Sequence, residues 1–251
     1  MSGKITPERL VSRETYMNTL NQNIVIFAPH PDDETLACGG TIILETLKGS
    51  RVHLVFMTDG RNSHTTTPDT FPKPSQEEVK KIRKSEALKA VEILGADKSN
   101  ISFLDFYDGT LKNNLSNAKQ TVEKHLSDIQ PAEIYLPAFA DVHRDHHSTN
   151  GIVLAVIRKL KLSLDLFEYV IWAGEEQLAE MLKMPNLVTN DIPAVIPQKL
   201  RAIVCYQSQV GSSLNGRMQI PVLNETFLAR FKLPVEHFWK YRVTEGKVSP
   251  V

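Results

Sequence analysis

Residues 24–34 read IVIFAPHPDDE. The apolar run predicts a buried strand over 24–28. Pro29 and Pro31 then hold the backbone around His30 extended and limit where its imidazole can go. A helix opens near Asp33 and Glu34, where the macrodipole favours a carboxylate. His30 and Asp33, three apart at this junction, can converge on one point. Asp32 and Asp33 are adjacent acids and repel each other, so their pairing calls for a compensating charge. The plain alternative is that one aspartate caps the helix and His30 is a satisfied histidine on the rim.

The same strand–helix rhythm continues outward. Further strands are expected at 52–58, 101–105, 133–137 and 167–173. Helices are expected at 35–48, stopping at Gly49, and from SQEE to Leu94 before Gly95. Ser75 and Glu78 have capping-box spacing. Two more helices are expected at 117–129 and 148–161. Past residue 174, KLRAIVCYQSQ reads as helix, ETFLARF as a short helix and FWKYRV as an edge strand. The pattern predicts one α/β domain over 1–251, a mostly parallel sheet flanked by helices. Its core spans about 22–173, and 174–251 pack on it as a less regular extension.

Composition narrows the class. Lys plus Arg (29) balance Asp plus Glu (29), so no strong field favours nucleic acid or an anionic membrane. Apolar stretches such as IVLAVI (152–157) fall far short of the roughly 20 residues of a membrane span. The polar start MSGKITPERLVSRETY does not read as a secretory signal. Cys38 and Cys205 make no disulfide framework; both are expected in the core. The expectation is a cytoplasmic soluble protein with no nucleic-acid partner; a homo-oligomer is compatible with it.

In open parallel sheets, ligands bind beyond the carboxyl ends of the strands. PHPDDE follows the first strand, TDGR the second, DFYDG the third and DVHRDHH the fourth, which puts four polar clusters on one rim. The long loop DGRNSHTTTPDTFPKP (59–74) starts on the same rim. DVHRDHHSTN (141–150) holds three histidines and two aspartates. Two such clusters suggest one divalent cation, Zn²⁺ first, with Fe²⁺, Co²⁺ or Mn²⁺ also suited to imidazole and carboxylate donors. Catalytic zinc commonly takes three protein ligands and keeps a place for water. If His30, Asp33 and one histidine of HRDHH bind the ion, Asp32 is left over as a general base for water acidified by the metal. An unligated histidine, oriented by Asp145, can then polarise a carbonyl. Spacing leaves open which of His143, His146 and His147 plays which part.

Taken together, IFAPHPDDETLACGGTI, VFMTDGR, IRKSEALKAVEILG, FLDFYDG, LPAFADVHRDHHST and, more loosely, KLRAIVCYQSQ resemble the LmbE-like/PIG-L deacetylases. The resemblance implies a Rossmann-like α/β fold and zinc-type removal of acetyl groups from N-acetylglucosamine-containing small molecules or glycans. It implies His30, Asp33 and His146 as metal ligands and Asp32 as general base. His143 becomes the stabiliser of the oxyanion, with Asp145 as its partner, and His147 lies behind the ligands or at the helix start. Arg144 stands where many members carry proline, loosening the loop and adding a cation near the pocket. Arg61 and Asp108 sit on the same rim and are candidates for sugar or anion contacts; for each the plain alternative is a surface ion pair or turn. His53 reads as a strand residue, His64 as part of the flexible loop, and His125 and His237 carry no signal. The rival functions are an amidase for another N-acyl group, such as a thiol conjugate, and a non-catalytic sugar- or metal-binding domain.

Overall fold

The computed structural model describes residues 22–64, 74–214 and 217–251. The chain runs β1 (Asn23–Ala28), α1 (Asp33–Lys48), β2 (Arg51–Thr58), α2 (Gln76–Leu94), β3 (Ile101–Phe106), α3 (Leu115–Ile129), β4 (Glu133–Pro137), α4 (Arg144–Leu160) and β5 (Leu164–Tyr169). It continues through α5 (Glu175–Met181), β6 (Leu187–Asp191), α6 (Ile196–Val204), α7 (Gln207–Val210), a ribbon of β7 (Ser213–Leu214) and β8 (Arg217–Met218), α8 (Glu225–Leu228), β9 (Val235–Thr244) and β10 (Lys247–Pro250).

Five parallel strands lie in the order β3-β2-β1-β4-β5, and β9 joins antiparallel beside β5. The order reverses direction at β1, which pairs with β2 on one side and β4 on the other. Doubly wound sheets open a crevice at such a switch point, outside the carboxyl ends of the strands. Past Asn23, β1 is apolar throughout because both its faces are covered. Ile24, Ile26 and Ala28 pack with Leu36 and Ile42 of α1 and Ala87 and Val91 of α2. Val25 and Phe27 pack with Val122 and Leu126 of α3 and Val153 and Ile157 of α4.

Local signals set most boundaries. Gly49 ends α1 in the left-handed region (φ 89°), as a residue without a Cβ can. The capping box at α2 is complete: Ser75 Oγ accepts from Glu78 N, and the Glu78 carboxylate accepts from Ser75 N at 2.8 Å. Three expectations are corrected. α4 begins four residues before 148, because His143 caps it by accepting from the Asp145 amide at 3.2 Å. The strand expected at 167–173 is β5, ending at Tyr169; the amides of Ile171 and Trp172 leave the sheet to donate to Asp141 Oδ2, each at 2.9 Å. The strand containing FWKYRV is not an edge: β9 is ten residues long, with β5 on one side and β6 and β10 sharing the other. Most of the loop expected at 59–74 lies outside the described residues.

Candidate active site

The junction after β1 is bound to β2 through the Pro29 carbonyl, which accepts from Thr58 N and Thr58 Oγ1, both at 2.9 Å. The chain then enters α1 through Asp32, whose φ of 133° lies where non-glycine residues are seldom found. Strain of this kind persists only where the surroundings over-determine it, and it clusters at functional sites. The Asp32 amide donates to Glu34 Oε2 at 3.1 Å, and its carboxylate meets Arg83 Nη2 at 2.9 Å. Arg83, buried on α2, also donates to the carbonyls of Pro31 (2.5 Å) and Gly60 (3.1 Å). Gly60 has φ 63°, and a Cβ there would stand 2.6 Å from Arg83 Nη1, so glycine makes room for the guanidinium.

His30 and His146 come together across the switch point, their ring centroids 5.4 Å apart. One oxygen, Asp33 Oδ2, stands between them at 3.3 Å from His30 Nδ1 and 3.3 Å from His146 Nε2. It also accepts from the His30 amide at 2.9 Å. On the far side of His146, Asp141 Oδ2 lies 3.0 Å from Nδ1, yet neither ring nitrogen has a partner in hydrogen-bond geometry. His143 completes the imidazole group: His30, His143 and His146 offer ring nitrogens within 4.8 Å of one another. His30, Asp108 and Asp145 form a second such set. A buried, orphaned imidazole facing a carboxylate oxygen, with two more imidazoles beside it, fits a divalent cation.

The charges behave accordingly. Burial works against a charge on His146, but Asp33 and Asp141 outweigh it and raise its pKa to about 9. Burial likewise opposes ionisation of Asp33, and the facing imidazoles hold its carboxyl far below the usual range. His30 is raised well above its ordinary value, Asp108, Asp145 and Asp33 overcoming its burial. Asp32 is pushed up to about 7 by burial, which Arg83 only partly offsets. His143 goes the other way, lowered to about 4 by burial and by the neighbouring histidines. It is therefore neutral near pH 7. Its Nδ1 accepts the Asp145 amide, so the ring carries its proton on Nε2.

Above these groups opens a cavity of about 640 Å³ whose rim includes Asn62, Gln76, Tyr107, Arg144, Trp172 and Gln209. Asp108 lines it, buried, accepting from the Asn62 amide at 2.9 Å and lying 3.2 Å from His30 Nε2. Arg61 is not in the described lining; Asp59 and Glu77 take up its guanidinium, each at 2.7 Å. Asp145 meets His143 through its own amide, while its carboxylate accepts from Gly109 (2.7 Å) and Leu111 (3.3 Å) and approaches His30. His147 stacks on the exposed ring of Phe139. His64 is buried and bonded to Ser63 and Gln219, and Cys205 is half-buried beside the core rather than inside it.

Sequence reasoning passed over two residues here. Nothing in the sequence separates Arg83 from the other cations of its helix. Asp141, fully buried, accepts from the amides of His143, Ile171 and Trp172 and backs His146. Its place beside the histidine cluster was the available signal. The loosely matched CYQSQ segment also reaches the site: Tyr206 donates to Glu34, and Ser208 donates to Glu86 through its amide and hydroxyl.

A doubly wound sheet whose switch point holds a histidine–carboxylate group fit for a cation is the class these observations define. Residues 25–157 match the PIG-L family, described as GlcNAc-PI de-N-acetylase, and the chain belongs to that family. It is 28% identical over 227 residues to a Bacillus cereus protein named probable N-acetyl-alpha-D-glucosaminyl L-malate deacetylase 2, covering 89% of this chain and 99% of that one. N,N'-diacetylchitobiose deacetylase of Pyrococcus horikoshii superposes with a TM-score of 0.62 at 22% identity, over 80% of this chain and 75% of its own. GalB, the 4-carboxy-2-hydroxymuconate hydratase of Pseudomonas putida, superposes with a TM-score of 0.64 at 18% identity, over 92% and 99%. The fold alone thus accommodates more than one reaction.

Proposed function

We propose that this chain hydrolyses the N-acetyl amide of an N-acetylglucosamine-containing small molecule or glycan, using one divalent cation held by His30, Asp33 and His146. Zn²⁺ suits the donors best, and Fe²⁺, Co²⁺ or Mn²⁺ are the alternatives. The observation that carries this is Asp33 Oδ2 standing between two buried imidazoles, with the strained Asp32 beside it tied to Arg83 and kept off the donor group. When bound, such a cation supplies Lewis acidity to an acyl oxygen and to water.

The chain's own groups then divide the proton work. Asp32 takes the proton of the attacking water and passes it to the departing nitrogen; its raised pKa suits both transfers near neutrality. Arg83 holds that carboxylate in place through the turn it clamps at Pro31 and Gly60. His143 donates from Nε2 to the oxygen that gains negative charge, as a neutral imidazole. Asp108 and Asp145 orient His30, and Asp141 orients His146. The polar and aromatic rim suits a sugar, and the named activities of the relatives support an acetylated amino sugar as substrate. Among the described residues no helix is long and apolar enough to cross a membrane.

Elemental analysis of the purified protein, combined with acetate release from N-acetylglucosamine, chitobiose and GlcNAc conjugates, tests the proposal. Stoichiometric metal with acetate release from at least one is expected. Metal without release from any N-acyl glucosamine in a panel would return the chain to the non-catalytic reading.

A further inference from the structure

A second cavity, of about 140 Å³, lies on the other side of Leu36 from the candidate active site, and Leu36 contributes to both walls. Its lining is largely apolar, with Leu178 of α5, Leu182 just past its end, Phe231, and Trp239 of β9. Lys199, Glu236, Arg230 and His237 also face it, as does Tyr169, whose hydroxyl donates to the Phe27 carbonyl. The first two neutralise each other at 2.7 Å, and Glu236 is further occupied by the amides of Gly40 and Thr41 and the Thr41 hydroxyl. Arg230 and His237 are different. Arg230 has no ion pair or hydrogen bond among the described residues, and its Nε is fully buried without a partner. Its guanidinium rests on the rings of Phe227 (5.0 Å) and Phe231 (4.6 Å), and the Asp141 carboxylate attracts it through space without forming an ion pair. The half-buried His237 ring likewise has no hydrogen-bond partner among the described residues.

A buried donor left unmade is costly, and stacking on aromatic faces offsets that only in part. The missing counterpart is an anion, and the walls around it call for an apolar body. We infer that this cavity is a second small-molecule site, taking a monocarboxylate with a short aliphatic or aryl body whose carboxylate pairs with Arg230. A cavity of roughly 150 Å³ holds a benzene-sized molecule, so a ligand of about eight heavy atoms fits with its head at the mouth.

Calorimetric titration of the metal-loaded full chain with hexanoate, against its neutral counterpart hexanamide, tests this. Each titration is run with and without acetate, whose carboxylate competes at the candidate active site but which lacks the apolar body the second cavity takes. Hexanoate is expected to bind saturably and at least about tenfold more tightly than hexanamide, the scale of one charge-assisted contact. Arg230→Met is expected to lose that preference and leave hexanamide binding unchanged. Leu182 is partly exposed at the cavity, so Leu182→Trp adds bulk without entering the core, and it is expected to weaken both ligands while acetate release is retained. Equal binding of hexanoate and hexanamide by the unaltered chain, or hexanoate binding that survives either substitution, would overturn the inference.

Discussion

Two groups of buried charge press against helix α1, and they are built on opposite principles. Near its middle, the Lys199–Glu236 pair is closed: every carboxylate oxygen has a donor, and the ammonium sits 2.7 Å from its partner. At its N-terminus the group around Asp32 and Asp33 is open. Two acids are adjacent, one with a left-handed backbone, and a buried imidazole has both nitrogens outside hydrogen-bond geometry. A closed group fastens β9 and α6 to α1 and asks for nothing further. The open one suits an added cation: a dication would satisfy the orphaned nitrogen and relieve the repulsion between the acids.

The sharpest test of that contrast is His146→Ala. It is expected to abolish stoichiometric metal binding and to bring acetate release to background, by metal analysis and product assay. Asp32→Asn comes next. It should keep the metal and lower kcat by about 10²–10⁴-fold, the range for loss of a general base. A variant with near-normal turnover would remove Asp32 from the chemistry.

Glu236→Ala probes the closed group. It strands a buried ammonium and two helix amides, so a loss of about 3–5 kcal/mol in urea unfolding is expected, with metal stoichiometry in the folded fraction unchanged. If metal binding fell with stability, the two groups would not be independent. The smallest effect belongs to Arg83→Met. Asp32 acts as a base only when ionised, so activity should rise with pH through its pKa, which is about 7 before a cation lowers it. Removing the Arg83 guanidinium disfavours the carboxylate, so this acidic limb should move upward by about one unit in the pH–rate profile. An unmoved limb would reduce Arg83 to a clamp for the turn.

Much of this was legible in the chain because it is local. Strands β1 to β4, the capping box at Ser75 and the stop at Gly49 follow from runs and caps of neighbouring residues. His30 and Asp33 stood out as ionisable groups at a strand end, and His146 as one of three histidines after the fourth strand, singled out only by the family resemblance. What escaped was contact between segments far apart. Arg83 lies 51 residues from Asp32, and nothing in its own helix marks it as buried. The beginning of α4 was hidden because its first turn is made of site residues, which break the apolar period that would have announced it. β5 was misjudged because Asp141 draws the next residues out of the sheet.

Residue order therefore carries the alternation of elements, the donor types at the rim and the chemistry they suit, all of which depend on propensity, periodicity and the nature of each side chain. The order β3-β2-β1-β4-β5 is not carried in that way, nor is the pairing of Asp145 with loop amides and the closeness of Arg230 to an apolar cavity. Those follow from how strands pair and helices pack across long separations, where burial raises the strength of each charge–charge contact.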